Sequence, residues 1–235
     1  TGEVTYTYYS DAECQNRLDG APTNAGTYYV KASVPAQSNY TETESNVATL
    51  TIKPIDMPVS VKGFNGPYDG QPHGISVTGQ PEGTVTKYYI GDHTIDHPML
   101  PSMWISINPK YITPRNQVIS YKVTDPNGNY NDVKGTATIH ITKATPIIAL
   151  NDKTAQYSGQ PIEMDGAEVT LVNNETYTGE VTYTYYSDAE CQNRLGGAPT
   201  NAGTYYVKAS IPQQDNYAMA ESNVATLTIT QADVT

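Results

Sequence analysis

The chain has 235 residues, enough for two or three small domains, and its 24 acidic and 13 basic side chains give a net charge of −11. Nucleic acid is excluded as a partner class, because no basic stripe exists to neutralise phosphate groups. Twenty Tyr stand against one Phe and one Trp, and 18 Gly and 16 Pro supply turns, so the composition favours short β-strands over helices. No apolar run is long enough to span a membrane.

One internal repeat organises the chain. Residues 1–52 recur as residues 178–229, and 45 of the 52 positions are identical. A divergent copy fills the interval between them, because an Asn-Tyr pair precedes a closing strand three times, at Asn39-Tyr40, Asn129-Tyr130 and Asn216-Tyr217. The pair predicts a structural role comparable to a tyrosine corner, which fixes a loop onto a sandwich.

The repeat predicts three units and a final linker: residues 1–53, 54–143, 144–231 and 232–235. Compared with the third unit, the first lacks about 34 leading residues. We therefore expect it to expose sheet edges, so that a neighbouring chain completes it by adding strands, as in a filament, or a longer polymer contains the missing part. The connections at residues 53–54 and 143–146 are short, which favours units joined end to end with restricted freedom.

The strands follow a period of two. In residues 181–186 apolar and aromatic side chains alternate with Thr, and residues 204–209 and 225–230 show the same alternation. The middle unit repeats the pattern at residues 119–123 and 137–141. Short alternating strands in units of about 90 residues predict an all-β fold of tandem immunoglobulin-like β-sandwich domains arranged end to end.

The middle unit carries an insertion at residues 93–115, roughly ten residues longer than its counterpart. It holds the only Trp, Trp104, with Met99 and Met103 beside it and Tyr111 further on. The segment forms an extra strand or a cover with Trp104 as a local core, or it is a loop that contacts a partner.

The same insertion contains His93, Asp96 and His97, whose side-chain types suit zinc or a similar ion. Pro98 breaks the helix that would align the two His residues, so a solvated polar loop competes with the metal site. Residues 125–132 are only superficially similar to a calcium loop, because they lack its central Gly and its final Glu. Surface calcium is compatible with the acidity, but no residue set requires it, and we predict no cofactor.

Two cysteines, Cys14 and Cys191, occupy the same position in their copies, 177 residues apart. One cysteine per unit excludes a disulfide inside either sandwich, which leaves unpaired thiols in a hairpin or a disulfide between neighbouring chains. An isopeptide cross-link between Lys153 and Asn223, assisted by Glu180, is a further candidate that the sequence cannot place.

Several segments resemble the MBG/YDG-type repeats of large cell-surface proteins of Gram-positive bacteria. These are Tyr68-Asp69-Gly70, the Val-Thr-Tyr-Thr-Tyr-Tyr strand, residues 24–32 and 201–209, and the Asn-Tyr pairs. The resemblance covers essentially the whole chain, more loosely in the middle unit, and Ser158 stands where the motif has Asp. It implies a stalk, adhesin or filament role outside the cell, and the family offers no catalytic residues to transfer.

The sequence thus predicts a structural or adhesive module of an extracellular protein at the cell surface or cell wall, and no enzyme. No Gly-x-Ser-x-Gly, His-Glu-x-x-His or phosphate-loop motif is present. The expected partners are neighbouring repeats or copies of the chain itself. The alternative is a binding module for host glycan or host protein, with the Trp104 loop as the contact.

Overall fold

The computed structural model describes residues 2–92 and 101–233. Within them the regular structure is β-strand, apart from short 3-10 turns at Pro101–Met103 and Val172–Asn174. The predicted all-β fold class is confirmed. None of the helices in the described part is long and apolar enough to cross a membrane.

The chain forms two compact units. Unit 1 comprises Thr1–Lys62, Ile75–Pro109 and Val118–Ala137, and unit 2 comprises Gly63–Gly74, Lys110–Gln117 and Thr138–Thr235. Each unit therefore combines one terminal repeat of the sequence with part of the middle repeat.

The first repeat, in unit 1, forms one antiparallel sheet. Its strands are β1 (Thr5–Tyr9), β2 (Gly26–Val34), β3 (Thr43–Glu44) and β4 (Ala48–Ile52). Strand β2 is central and pairs with each of the other three. The Asn-Ala-Gly segment at residues 24–26 leads into β2, whose first residue is Gly26, as turn chemistry between alternating runs predicts.

The middle repeat contributes strands to both units. They are β5 (Ile55–Asp56), β6 (Ser60–Lys62), β7 (Phe64–Pro67), β8 (Ser76–Thr78), β9 (Val85–Ile90), β10 (Arg115–Thr124), β11 (Tyr130–Asn131) and β12 (Val133–Thr142). In unit 1, β9 pairs antiparallel with residues 119–124 of β10, β6 with β8, and β5 pairs parallel with β11. In unit 2, β7 pairs parallel with residues 139–142 of β12.

The third repeat, in unit 2, forms a sandwich of two unequal sheets. Its strands are β13 (Ile147–Ala149), β14 (Lys153–Gln156), β15 (Glu168–Thr170), β16 (Thr182–Tyr186), β17 (Gly203–Ile211), β18 (Ala220–Glu221) and β19 (Ala225–Thr230). The larger sheet runs β14-β19-β17-β16, with β18 also on β17 and β14 parallel to β19, and β13 pairs with β15 in the smaller one. The parallel pairing of β14 with β19 matches that of β7 with β12.

The core of the third repeat follows from the alternation of its strands. Val207 and Leu227 are fully buried and Tyr185 nearly so, while the Thr residues between them point outwards. They pack against Ile148 and Met164, which come from the segment that precedes β16. The leading part of the repeat therefore covers the sheet formed by the trailing part.

The first repeat has the same strands without that cover. No residue of its described part, residues 2–53, is buried. Tyr40 is 77% exposed whereas its counterpart Tyr217 is 5% exposed. The difference lies in the surroundings, since the two sequences are almost the same.

Candidate functional site

Two recurring motifs meet inside unit 2. Tyr68 belongs to the Tyr-Asp-Gly motif of the middle repeat, and Tyr217 to the Asn-Tyr pair of the third. Their hydroxyl groups donate to the carboxylate of Glu175, at 3.1 Å to Oε1 and 2.7 Å to Oε2. The two rings meet edge to face with centroids 5.6 Å apart, an attractive aromatic geometry. We call these three residues the Tyr–Glu–Tyr cluster.

The Tyr-Asp-Gly turn places Tyr68 at the end of β7. The Tyr68 N–H donates to the Thr142 carbonyl at 2.8 Å, which continues the pairing of β7 with β12. Gly70 has φ +75°, and a Cβ at this position would collide with the side chain of Asn173. Asn173 in turn donates to the Asp69 carbonyl at 2.9 Å. The turn and the loop before Glu175 are therefore held together beside the cluster.

The backbone around Tyr217 is fixed by the connection between the two repeats. The Ala144 N–H donates to the Asn216 carbonyl at 3.0 Å, and the Ala218 N–H donates to the Ala144 carbonyl at 2.8 Å. The Lys143 ammonium donates to the Gln214 carbonyl at 2.5 Å. These bonds tie the connection between the middle and third repeats, at residues 143–144, to the turn that carries Tyr217.

Burial and the hydrogen bond to Glu175 both raise the pKa of Tyr217 and of Tyr68, burial being the larger cause. Both tyrosines are thus neutral donors at physiological pH. A phenol with a raised pKa is a poor nucleophile and a poor acid, and both oxygens of Glu175 already accept a hydrogen bond. The chemistry of the cluster is recognition between parts of the chain.

The Asn-Tyr pairs of the middle and third repeats share one backbone contact and differ in their side-chain contacts. In unit 1, the side chain of Asn129 accepts from the Ala25 N–H at 2.7 Å and donates to Asn24 Oδ1 at 3.2 Å. The Ile55 N–H donates to the Asn129 carbonyl at 3.0 Å, the counterpart of the bond from Ala144 to Asn216. In the third repeat the hydroxyl of Tyr217 binds the Glu175 carboxylate and also has a backbone hydrogen bond with Val172, as the hydroxyl of a tyrosine corner has with its backbone partner.

The predicted partner-contact residues fall in different parts of the chain. Trp104 is half-buried in unit 1, with its ring 6.3 Å from that of Tyr89. Ile105 exchanges two backbone hydrogen bonds with Tyr88, so the segment adds one bridge to β9. Met103 and Ile107 are 45% and 80% exposed. Met99 lies outside the described residues.

Tyr111 lies in unit 2. It exchanges backbone hydrogen bonds of 2.8 Å with His73, and the Arg115 guanidinium lies 4.2 Å from its ring centroid. The ring of His73 stacks on Phe64, and its Nε2 lies 2.8 Å from Asp69. Through these contacts Tyr111 packs beside the Tyr-Asp-Gly turn, within unit 2.

The metal candidates His93, Asp96 and His97 lie outside the described residues, so the metal site stays a prediction. In the described ranges, 2–92 and 101–233, no group of three or more His, Cys, Asp or Glu is placed to hold an ion. In the segment that superficially resembles a calcium loop, the Asp125 carboxylate accepts from the Asn127 and Asn129 N–H groups at 2.9 and 2.7 Å. That carboxylate stabilises the turn.

Cys14 and Cys191 are free thiols in equivalent loops. Both adopt left-handed backbone angles, with φ 57° and 52°. In the third repeat the Asp188 carboxylate accepts from the N–H groups of Gln192 and Asn193, which fixes the loop around the cysteine. Burial raises the pKa of the Cys191 thiol, so this cysteine is less reactive than a typical exposed one.

The isopeptide candidates are engaged elsewhere. The Lys153 ammonium donates to the Glu163 carbonyl and to Asp165, each at 2.8 Å. The Asn223 amide accepts from the Leu150 N–H at 3.0 Å and donates to its carbonyl at 2.8 Å. Asn223 therefore anchors the leading segment of the repeat to the sheet.

Residues 2–55 match the family model described as the MBG domain. This match confirms the resemblance to MBG-type repeats over the first repeat. The comparison with curated proteins found no significant match.

Several solved structures are similar to the chain. One contains immunoglobulin domains 1–5 of Sidekick-1, with 14% identity, a TM-score of 0.31, and 98% of this chain aligned to 53% of that one. Drosophila N-cadherin EC1–4 has 10% identity, a TM-score of 0.26, and coverages of 98% and 68%. The fibronectin(III)-like modules of Clostridium thermocellum CbhA have 12% identity, a TM-score of 0.26, and coverages of 74% and 95%. The chain spans about half the length of the Sidekick-1 fragment.

Proposed function

We propose that this chain, whose residues 2–55 match the MBG domain family, is a non-catalytic repeat module of an extracellular bacterial surface protein or filament. It acts there as a stalk or spacer, at the cell surface or wall of a Gram-positive bacterium, and it works without a cofactor. Its partners are neighbouring repeats or further copies of the chain.

The Tyr–Glu–Tyr cluster is the observation that carries the proposal. A spacer needs connections that keep successive repeats together, and these motifs supply one between the middle and the third repeat, inside unit 2. Tyr68 and Tyr217 are only 6% and 5% exposed, so their side chains are used within the chain and are not presented to a ligand. Because the Tyr-Asp-Gly and Asn-Tyr motifs recur along the chain, the same kind of connection can form between each pair of successive repeats.

The test compares amide hydrogen exchange of the full chain with that of Glu175→Ala. We expect exchange in residues 68–73 and 216–218 to rise at least tenfold, because two buried hydroxyl groups lose their acceptor. The matched control is Glu190→Ala, an exposed acid in the hairpin of the same repeat. Unchanged exchange in the Glu175 variant would argue against a joint held by the cluster.

The second candidate function is binding of host glycan or host protein by the Trp104 segment. The exposure of Met103, Ile105 and Ile107 beside Trp104 favours it, because clustered apolar side chains on a surface mark contact sites. A glycan and host-protein array separates the two functions. Reproducible hits that disappear with Trp104→Ala support the binding module, and an absence of hits supports the spacer.

A further inference from the structure

One row of side chains crosses the larger sheet of the third repeat on its outward side. The ladder places Tyr186 opposite Tyr206, and Tyr206 opposite Thr226. A bridge continues the row beyond β16, where Arg194 lies opposite Tyr186. Residues directly opposite each other in an antiparallel pair share one face of the sheet. We call these four residues the Arg–Tyr–Tyr–Thr row.

The sequence neighbours of the row line the core, so the row itself faces away from it. Tyr185 and Val207 are 6% and 0% exposed, whereas Tyr186 and Tyr206 are half-buried and Arg194 is exposed. Successive positions of a strand point to opposite faces. The row therefore stands on the outer surface of the sandwich.

The first repeat carries the same row. Tyr9 lies opposite Tyr29 and, across a bridge, opposite Arg17, while Tyr29 lies opposite Thr49. Tyr9 and Tyr29 are again half-buried and Arg17 is exposed. In the third repeat the leading part of the repeat covers the other side of the sheet, so the row does not depend on that cover.

The arginine is the charged end of the row. Lys208 lies two positions after Tyr206 on the same face, and its ammonium is paired with Glu221 at 3.2 Å. Within residues 2–92 and 101–233, neither Arg17 nor Arg194 forms an ion pair with an acidic side chain. Each guanidinium is therefore available to an anion, and its planar fork of donors matches a carboxylate.

The middle repeat differs at two positions of the row. Ser120 lies opposite Tyr89, at the place of the second tyrosine. The bridge between Tyr88 and Ile105 places Trp104 beside Tyr89, at the place of the arginine, with ring centroids 6.3 Å apart. The row Trp104–Tyr89–Ser120 carries no cation, so the middle repeat is an internal comparison for the other two.

The chemistry of the row fits a saccharide that carries a carboxylate. Neighbouring tyrosines offer apolar ring surface with a polar tip, which suits the face of a sugar ring, and the threonine hydroxyl both donates and accepts hydrogen bonds. The four positions extend over roughly 14 Å, because neighbouring strands lie about 4.8 Å apart, which is enough for a short oligosaccharide. A polypeptide that adds as a strand needs a sheet edge, whereas this row crosses the face of the sheet.

Charge narrows the ligand further. The net charge of −11 repels a polyanion, so the row suits a ligand with a single carboxylate better than a highly charged chain. We propose that the Arg–Tyr–Tyr–Thr rows of the first and third repeats bind a saccharide that carries one carboxylate. Its sugar rings lie on the two tyrosines and its carboxylate on the arginine. This binding is separate from the spacer role, because it uses neither the Tyr–Glu–Tyr cluster nor the Trp104 segment.

The probe is sialyllactose, a trisaccharide with one carboxylate, and its neutral methyl ester is the matched ligand. In an NMR titration of the full chain we expect sialyllactose to shift the amide signals of both rows and to leave those of the middle row unchanged. The methyl ester should bind at least tenfold more weakly, because it lacks the charge that the guanidinium recognises.

Variants of single residues test the rows one at a time. Arg194→Gln should weaken binding to the third repeat at least tenfold and leave binding to the first unchanged, and Arg17→Gln should do the reverse. Tyr206→Ser, which introduces the residue type of the middle row, should also weaken binding to the third repeat. Arg115→Gln is the matched control, because it removes the same charge from an exposed arginine outside the rows, and both responses should persist.

The unaltered row in each variant reports that the chain is folded. Four results overturn the proposal: no shift in either row, equal affinities for sialyllactose and its methyl ester, binding that neither arginine variant weakens, or shifts confined to the Trp104 segment. Tetraglutamate is the competing probe. Shifts of the rows with tetraglutamate and none with sialyllactose would assign the rows to an acidic polypeptide and also overturn the proposal.

Discussion

Glu175 is a loop residue whose partner Tyr68 lies 107 positions away in the sequence. Its carboxylate is the shared acceptor of two buried hydroxyl groups, and a charged acceptor makes stronger hydrogen bonds than a neutral one. Neither sequence periodicity nor a short motif marks such a residue, because the pairing depends on how two repeats meet. The recurring motifs mark Tyr68 and Tyr217, whereas no signal in the sequence marks the acid that joins them.

Glu175→Gln is expected to lower the free energy of unfolding by about 1–2 kcal/mol, since the amide offers one acceptor oxygen to two donors. Urea denaturation followed by tyrosine fluorescence measures the change. Glu190→Gln, at an exposed site in the same repeat, should change the free energy by less than about 0.5 kcal/mol. Equal effects of the two substitutions would contradict a specific role for Glu175.

The raised pKa of Tyr217 predicts a loss of stability at alkaline pH. The folded state holds this phenol neutral, whereas the unfolded chain ionises it at its ordinary value of 10.0. The contribution is therefore complete below pH 10.0 and is lost as the pH rises through the raised folded-state pKa. Urea denaturation between about pH 9 and 11 should show a shallower decline for Tyr217→Phe than for Tyr6→Phe, which alters an exposed tyrosine.

At the scale of the element, identical strands differ in what covers them. Strands β4 and β19 share the sequence Ala-Thr-Leu-Thr-Ile, yet Leu227 is fully buried and Leu50 is not. Alternation predicts which face of a strand is apolar, and it did so correctly for both. It does not predict whether another segment lies on that face.

Leu227→Ala should destabilise the third repeat by about 2–5 kcal/mol, because it removes contacts and leaves a cavity in a closed core. Leu50→Ala should cost less than about 1 kcal/mol, because the site already meets solvent. Hydrogen exchange resolved by repeat measures both in one protein. Equal losses would mean that another segment covers the apolar side of β4 in solution.

The cysteine hairpin depends on one carboxylate. Asp188 accepts from the N–H groups of Gln192 and Asn193, and these bonds lower the pKa of Asp188, so their contribution is lost as the pH falls through that lowered value. Asp188→Ala should loosen the left-handed backbone at Cys191 and speed its alkylation by iodoacetamide several-fold. Glu190→Ala, in the same loop, removes a charge that also raises the pKa of Cys191 but removes no hydrogen bond of the loop, so it should speed alkylation less. An equal increase in the two variants would refute the role of the Asp188 hydrogen bonds.

At the scale of the whole molecule, the fold class and most strand positions could be read from the sequence. The alternation predicted at residues 225–230 lies in the strand Ala225–Thr230, and the strand predicted at 181–186 lies at Thr182–Tyr186. These two predictions succeed because alternation and turn residues depend only on neighbouring positions in the sequence. The joint between the middle and third repeats could not be read in this way, since it rests on side chains that the fold brings together from distant positions.

The near-identity of the two end repeats has a consequence for how the protein folds during synthesis. Residues 146–171 fit the sheet of residues 178–229, and by sequence they fit the earlier sheet of residues 1–52 equally well. The earlier sheet leaves the ribosome first, so pairing with it is a competing route that would trap the third repeat without its own core. The middle copy lies between the two segments, so the chain must close a longer loop to form this wrong pairing. In an array that grows by duplication, alternation of like and unlike repeats is therefore expected to reduce wrong pairing between repeats.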